Sequence, residues 1–401
     1  MTATTTDVSA AVARFAERFH AAVGTGHHVG SPLGAWLLLA LCAAAAGPGS
    51  RTDPALADAL GVSPEEARTW AQGLLAARHP LVLTAAAAWT GATAPPTTAP
   101  RLARDLPAAV ATGPLPDQRA LDAWAAENTQ GLIDRFPVTV TPETLLVLAT
   151  ALATKVSWTE PFHTAPAADL RAGGTWAGRL TTVLRSPSGW GHVSYVARSR
   201  RAGLVAVHSA QAFDAESAHG LRVTSVIAEP GVPAADVLAA AYEPEPDEVS
   251  LFDLPLGEGP LWTITAEETR TTAADGREEW CTSVLPAWRA GNDHDLAAGD
   301  LGFPGAARAL AASLGLPEFV FEARQAAVAA YSRYGFEAAA VSVGAVAGGI
   351  AAEPRKGVLR TAELRFAHPY AVVAVATGGD TPWDGLPVFS AWVADPEDAE
   401  E

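Results

Sequence analysis

Element signals in this chain are segregated, and that segregation limits the fold more than any other feature. In the first third, apolar residues recur at helical spacing: Val12, Phe15, Phe19 and Val23 form one face of a first helix. "LGAWLLLALCAAAAG" (33–47) is apolar throughout and too short for a confident membrane span, so it reads as a buried helix. "SPEEARTWAQGLLAARH" offers Ser63 as N-cap, Pro64 at the first helical position and Glu66 to close a capping box. "TTAPRLARDLPAAVATGPLP" reads as a Pro-rich connector. "LDAWAAENTQGLIDRF" is helical again, with Leu121, Trp124, Asn128 and Leu132 on one face. "LLVLATALATKVSW" fits a central strand or a buried helix, and periodicity does not separate the two. From about residue 180 the pattern is strand-like: "GLRVTSVIAEP", "GPLWTITAEET", "EEWCTSVLPAW", "LRTAELRF", "YAVVAVATG" and "PVFSAWVAD" are β-branched or aromatic and bounded by Gly, Pro or Asp. One helix, "GAARALAASLG", interrupts them. Helices first and strands later predict an α+β fold, not alternating βαβ units.

The net charge of −17 repels phosphate backbones and anionic lipid, so neither nucleic acid nor a membrane is an expected partner. At 401 residues and 49% hydrophobic, the chain can bury a large core, and no composition break marks a linker. A single domain over 1–396 with an acidic tail at 397–401 is expected, as a monomer. The N-terminus lacks a basic segment followed by an apolar one, which predicts a cytoplasmic protein, with secretion as the alternative. Cys42 and Cys281 read as buried or isolated thiols.

Catalytic signatures are missing from the sequence: no G-x-S-x-G, H-E-x-x-H, C-x-x-C or P-loop. "GAVAGG" (344–349) lacks phosphate-loop spacing. Asp293, His294 and Asp295 in "NDHDL" have no second cluster to join them, so a solvated loop is expected rather than a metal site. His27 and His28 are adjacent, so their side chains do not converge. Neither an enzyme nor a cofactor is implied.

"GFEAAAVSVGAVAGGIAAEPRKG" (335–357) is the anomaly. Residues 338–352 carry no charge. As a helix the stretch would hold Gly344, Gly348 and Gly349, each costing about 1 kcal/mol relative to alanine. As a permanent edge strand it would invite aggregation. It suits a loop that later enters a sheet, with Ala338, Ala340, Ser342, Gly344 and Val346 on one face and small enough to slide under existing strands. A plain core strand or loop is the alternative on composition alone.

Several blocks, in order, settle that choice by resemblance. "SPLGAWLLLALCAAAAGPGSRTDPALADALGV" begins with Ser31 and Pro32. "LDAWAAENTQGLIDRF" carries Trp124, Asn128, Thr129, Gly131 and Ile133. "LVLATALATKVSWTEPF" carries Lys155, Trp158, Pro161 and Phe162. "RFAHPYAVVAV" carries Phe366, His368, Pro369 and Tyr370, and "PVFSAWVADP" closes the set. Over most of the chain these resemble the serpins, the serine protease inhibitor family, as a divergent bacterial-type member. The resemblance implies helices around a large central β-sheet, two further sheets and an exposed reactive-centre loop at about 335–358. The family's hinge pattern "E-E-G-T-E-A-A-A" is met by Gly335, Glu337, Ala338, Ala339 and Ala340. Arg333 stands in place of a glutamate and Phe336 in place of a small hydroxyl residue.

The resemblance implies a trap for a target serine or cysteine protease. The protease acylates itself on the loop, and the cut loop inserts as an added strand and distorts it. Phe336 is then expected to overpack the sheet by about 1–3 kcal/mol. With Arg333 it favours the alternative, a non-inhibitory serpin acting as a binding or structural protein. Ser31, Pro32, Thr150 and Gln325 fall where the sheet opens, with Thr150 where the family usually has asparagine and Gln325 where histidine is frequent. Family hinge length places the scissile bond near Gly349–Ile350. A cut at Gly348, Gly349 or Ala351 implies an elastase- or subtilisin-like target. One at Arg355 or Lys356 implies a trypsin-like target.

Overall fold

The structure, a computed structural model, describes residues 5–47, 53–171, 176, 178–187, 189, 191–243, 247–316, 321–336, 355–379 and 381–400. Helices α1 (Thr5–Val23), α2 (Pro32–Ala46), α3 (Pro54–Leu60), α4 (Pro64–Ala76), α5 (Thr98–Asp105) and α6 (Gln118–Asn128) occupy the N-terminal third. Helices α7 (Ala234–Ala241) and α8 (Phe303–Leu314) fall among the later strands. The fold is α+β, as the segregated signals predict.

The predicted helix starts are present. Ser63 and Glu66 form a reciprocal capping box at α4, with Pro64 in the first turn. Val12, Phe15 and Phe19 of α1 are fully buried. Every residue of α2 is buried, so its uniform apolarity belongs to a central core helix. Among the described residues no helix is long and apolar enough to cross a membrane.

Among the described residues the strands form four hydrogen-bonded groups. The largest runs β1 (His28–Gly30), β20 (Pro387–Val393), β19 (Tyr370–Thr377), β10 (His219–Ala228), β9 (Gly203–Asp214), β8 (His192–Ser199) and β11 (Asp247–Val249). A second runs β12 (Gly257–Glu258), β13 (Trp262–Thr271), β18 (Arg355–Arg365), β14 (Arg277–Leu285), β7 (Thr182–Arg185) and β6 (His163–Pro166). The third is β15 (Trp288–Asp295), β16 (Arg324–Tyr331), β17 (Gly335–Phe336) and β5 (Val156–Ser157). The fourth is β3 (Ala111–Pro114), β2 (Leu83–Thr90) and β4 (Leu146–Ala153). "LLVLATALATKVSW" is thus strand, interrupted at Thr154 and Lys155.

Three sequence expectations need correction. The Pro-rich connector holds α5 and β3. Both are too short for periodicity to show, and β3 is fixed by parallel pairing to β2. The helix predicted through Leu132 stops at Asn128, because Gln130 (φ 53°) and Gly131 (φ 78°) turn left-handed. "NDHDL" is no solvated loop but the end of β15. Strand alternation puts His294 inside, donating from Nε2 to the Val29 carbonyl at 2.6 Å, while Asp293 and Asp295 face out. Cys42 and Cys281 are both free. The end of the chain is stitched to the body rather than trailing as a tail: Glu397 N–H donates to the Ala287 carbonyl (2.8 Å) and Ala399 N–H to Thr182 (3.1 Å).

Candidate functional site

The resemblance implies one large central sheet, but hydrogen bonding divides it into the third and fourth groups. The division marks a slot. Gly335 pairs with Ser157 and Phe336 with Val156 on one side, and Phe336 pairs with Tyr331 on the other. At that end β5 and β16 are therefore held one strand apart. Beyond the rung, β4 is paired only to β2, and β16 only to β15, among the described residues. Each is eight residues long. Their free edges flank a cavity of about 550 Å³, lined by β4, the start of β16, α2 and apolar side chains including Leu38, Phe136, Leu310 and Phe321.

The N-terminus of α2 is tied to both sides of the slot. Ser31 caps it, accepting from Gly34 N–H (3.0 Å) and donating to the Val388 carbonyl (2.7 Å). Pro32 occupies the first turn, where a missing N–H costs nothing. From β16, the Gln325 amide grips the Ser31 backbone twice: Oε1 accepts from its N–H (2.9 Å) and Nε2 donates to its carbonyl (2.8 Å). From β4, the Thr150 hydroxyl donates to the Gly34 carbonyl (3.0 Å). Ser31, Pro32, Thr150 and Gln325 therefore come together at the start of α2. Thr150 and Gln325 reach α2 rather than each other.

The turn from β16 into β17 is braced by the segment after β5. Trp158 donates its N–H to the Tyr334 carbonyl (2.9 Å) and its indole N–H to the Ser332 carbonyl (3.0 Å). Phe162 N–H donates to the Arg333 carbonyl (3.0 Å), and Arg333 Nε donates back to the Phe162 carbonyl (3.1 Å). Phe336, expected to overpack the sheet on insertion, is already seated in it. Its ring is 2% exposed and meets Trp288 edge-on, with centroids 6.2 Å apart.

Beneath Phe162 lies a histidine pair that sequence reasoning missed. The Phe162 ring is 4.5 Å from His192, which stacks on His208. The Glu160 carbonyl can only accept, so His192 Nε2 (2.7 Å away) carries hydrogen and its Nδ1 accepts from His208 Nε2 at 3.3 Å. His208 Nδ1 then accepts from Ser194 Oγ (2.9 Å). Both rings are neutral in this arrangement, which burial favours. Burial lowers the His192 pKa to about 4 and that of His208 well below 6.5, His192 adding to the latter. The sequence signal is weak: His192 and His208 differ by an ordinary strand-to-strand spacing.

Gly335 and Phe336 are thus placed in the sheet. Glu337, Ala338, Ala339, Ala340, Gly348, Gly349, Ile350 and Ala351 lie outside the described residues. Arg355 and Lys356 open β18, paired to Thr271 and Arg270, and the Arg355 guanidinium donates to the Ala273 carbonyl.

No family model and no curated protein matches the chain by sequence. Solved structures do. A cleaved Serpin 42Da superposes with TM-score 0.62 at 14% identity, over 98% of this chain and 100% of its own. Serpin48 of the insect Tenebrio molitor, described as highly specific, gives 0.58 at 14% identity over 98% and 99%. Thyroxine-binding globulin in complex with thyroxine gives 0.58 at 12% identity over 99% and 100%. With its slot, its hinge rung and end-to-end likeness to these structures, the chain has the serpin fold.

Proposed function

We propose that this chain is a serpin-family protease inhibitor that traps a serine or cysteine protease by inserting its own cleaved loop into the slot between β4 and β16. One observation carries the reading: beyond the rung that holds β5 and β16 one strand apart, the facing edges of β4 and β16 have no strand partner among the described residues. Continuing the alternation from Phe336 would place Ala338, Ala340, Ser342 and Gly344 on the face that Phe336 buries. Those side chains are small enough to enter above α2. Filling both edges closes on the order of ten backbone hydrogen bonds at about 1 kcal/mol net each. That drive is available only once the loop is cut.

In the trapping step the protease nucleophile attacks the carbonyl of the scissile residue. The acyl bond to the enzyme forms, the peptide C–N bond breaks and the new amine leaves with a proton. Insertion then competes with hydrolysis of the acyl-enzyme by water. Each change of about 1.4 kcal/mol in the insertion barrier alters that race about tenfold. The pairing of Arg355 and Lys356 within β18 favours a scissile bond upstream, at Gly348, Gly349 or Ala351, and hence an elastase- or subtilisin-like target.

Incubation with a panel of elastase-, subtilisin- and trypsin-like proteases tests this on denaturing gels. An SDS-resistant complex is expected with the first two. Clean loop cleavage that leaves every protease active would instead support a non-inhibitory binding protein, the reading favoured by the hinge departures Arg333 and Phe336 and by the likeness to thyroxine-binding globulin.

A further inference from the structure

The hinge departures look like defects in the sequence, but each has a built receptor. Val156, Phe336, Tyr331 and Trp288 are register partners across β5, β17, β16 and β15, so their side chains share one face. All four are buried in one core. Tyr331 and Trp288 lie nearly parallel, 15° apart, and Phe336 meets the Trp288 ring at 70°. A small hydroxyl residue at 336 would leave a gap within this row, between Val156 and Tyr331. Arg333 completes the bracing from the turn: its Nε–H satisfies the Phe162 carbonyl, and its guanidinium lies over Tyr334, 5.2 Å from the ring centroid. A glutamate has no proton to donate there.

We infer that Phe336 and Arg333 latch the start of the loop into the sheet of the uncut protein, so that insertion begins from a rung already formed. The chain is continuous, and yet Phe336 already pairs on both sides and Gly335 pairs with Ser157. A docked first rung removes the step of nucleating the new strand. It would also hold the loop base fixed when a protease meets the segment beyond. Phe336 is a positioning residue in this account, since it touches no protease atom. The consequence for trapping rests on the reading proposed above, whereas docking of the rung does not.

Hydrogen exchange on the intact protein, followed amide by amide, tests the latch. The amides of Trp158, Phe162 and Ser332 donate to Tyr334, Arg333 and Gly335, so protection at all three is expected in the wild type. Phe336→Thr and Arg333→Glu are each expected to lower it by about tenfold or more, with β9 and β10 unaffected. Unprotected Trp158 and Phe162 amides in the wild type overturn the latch, and this measurement needs no variant to fold. In the trapping assay Phe336→Thr should release more cleaved inhibitor per complex formed. Faster or more complete trapping by this variant would also overturn it. If no protease is trapped by the wild type while the three amides are protected, the proposed function fails and the latch stands.

Discussion

Side chains that must stay neutral make this fold sensitive to acid. The His192–His208 chain is one case. The other joins α1, β1 and β20. The Gly26 carbonyl can only accept, so His28 Nδ1 (2.9 Å away) carries hydrogen. His28 Nε2 then accepts from His20 Nδ1 (2.8 Å), and His20 Nε2 from Ser390 Oγ (2.8 Å). One further proton on either chain forces its hydrogen bonds to reverse direction, and a second sets N–H against N–H. Burial is the main cause of the low pKa values, about 3 for His20, reinforced by His28, and about 4 for His28 itself. Folded values below the ordinary 6.5 mean that stability is full above about pH 6.5 and falls as pH drops toward 4. Each of His20, His28 and His192 then costs about 1.4 kcal/mol per pH unit. Urea midpoints at pH 7 and pH 5 measure this: the pH 5 midpoint should be lower, and His192→Gln should shrink the difference. Equal midpoints would contradict the neutral assignment. None of this was legible beforehand, because His20, His28 and His294 converge from three elements while His27 turns away to the Arg289 carbonyl.

At the scale of elements, α2 acts as a spindle for the slot. Its first turn is held to β16 by Gln325, to β4 by Thr150 and to β20 by Ser31. Removing the Gln325 amide leaves the buried Ser31 N–H without its acceptor, so Gln325→Ala should destabilise by about 1–3 kcal/mol in chemical denaturation. Thr150→Val should cost about 1 kcal/mol, as its partner carbonyl keeps other options. An unchanged midpoint in Gln325→Ala would show the spindle to be idle. Much at this scale was readable: the Ser63 cap, the buried α2 and the six strand-like runs all follow local rules. The misreadings had tertiary causes. Nothing local announces that 111–114 will pair beside β2, or that "NDHDL" continues a strand whose inner rung is a histidine. The ambiguity over 145–158 was settled by β2 and β17, its neighbours in space.

Over the whole molecule, the described residues place no strand between β4 and β16 beyond the rung at Phe336. While the charge-free strip lies outside the described residues, the sequence pointed to this fold through the blocks that resemble the serpins. It could not show that Phe336 would be welcomed by the sheet, because Trp288 and Tyr331 are distant in sequence and meet it only across paired strands. On the proposed reading, the slot is an energy difference held in the fold: two edges that gain pairing once the cut loop supplies it. The most direct measurement cuts the loop between Phe336 and Arg355 with a protease that is not itself trapped, then compares melting temperatures of cut and intact protein. A rise of several degrees or more is expected, as on the order of 10 kcal/mol of strand pairing is added. A cut protein that melts at or below the temperature of the intact one would contradict it.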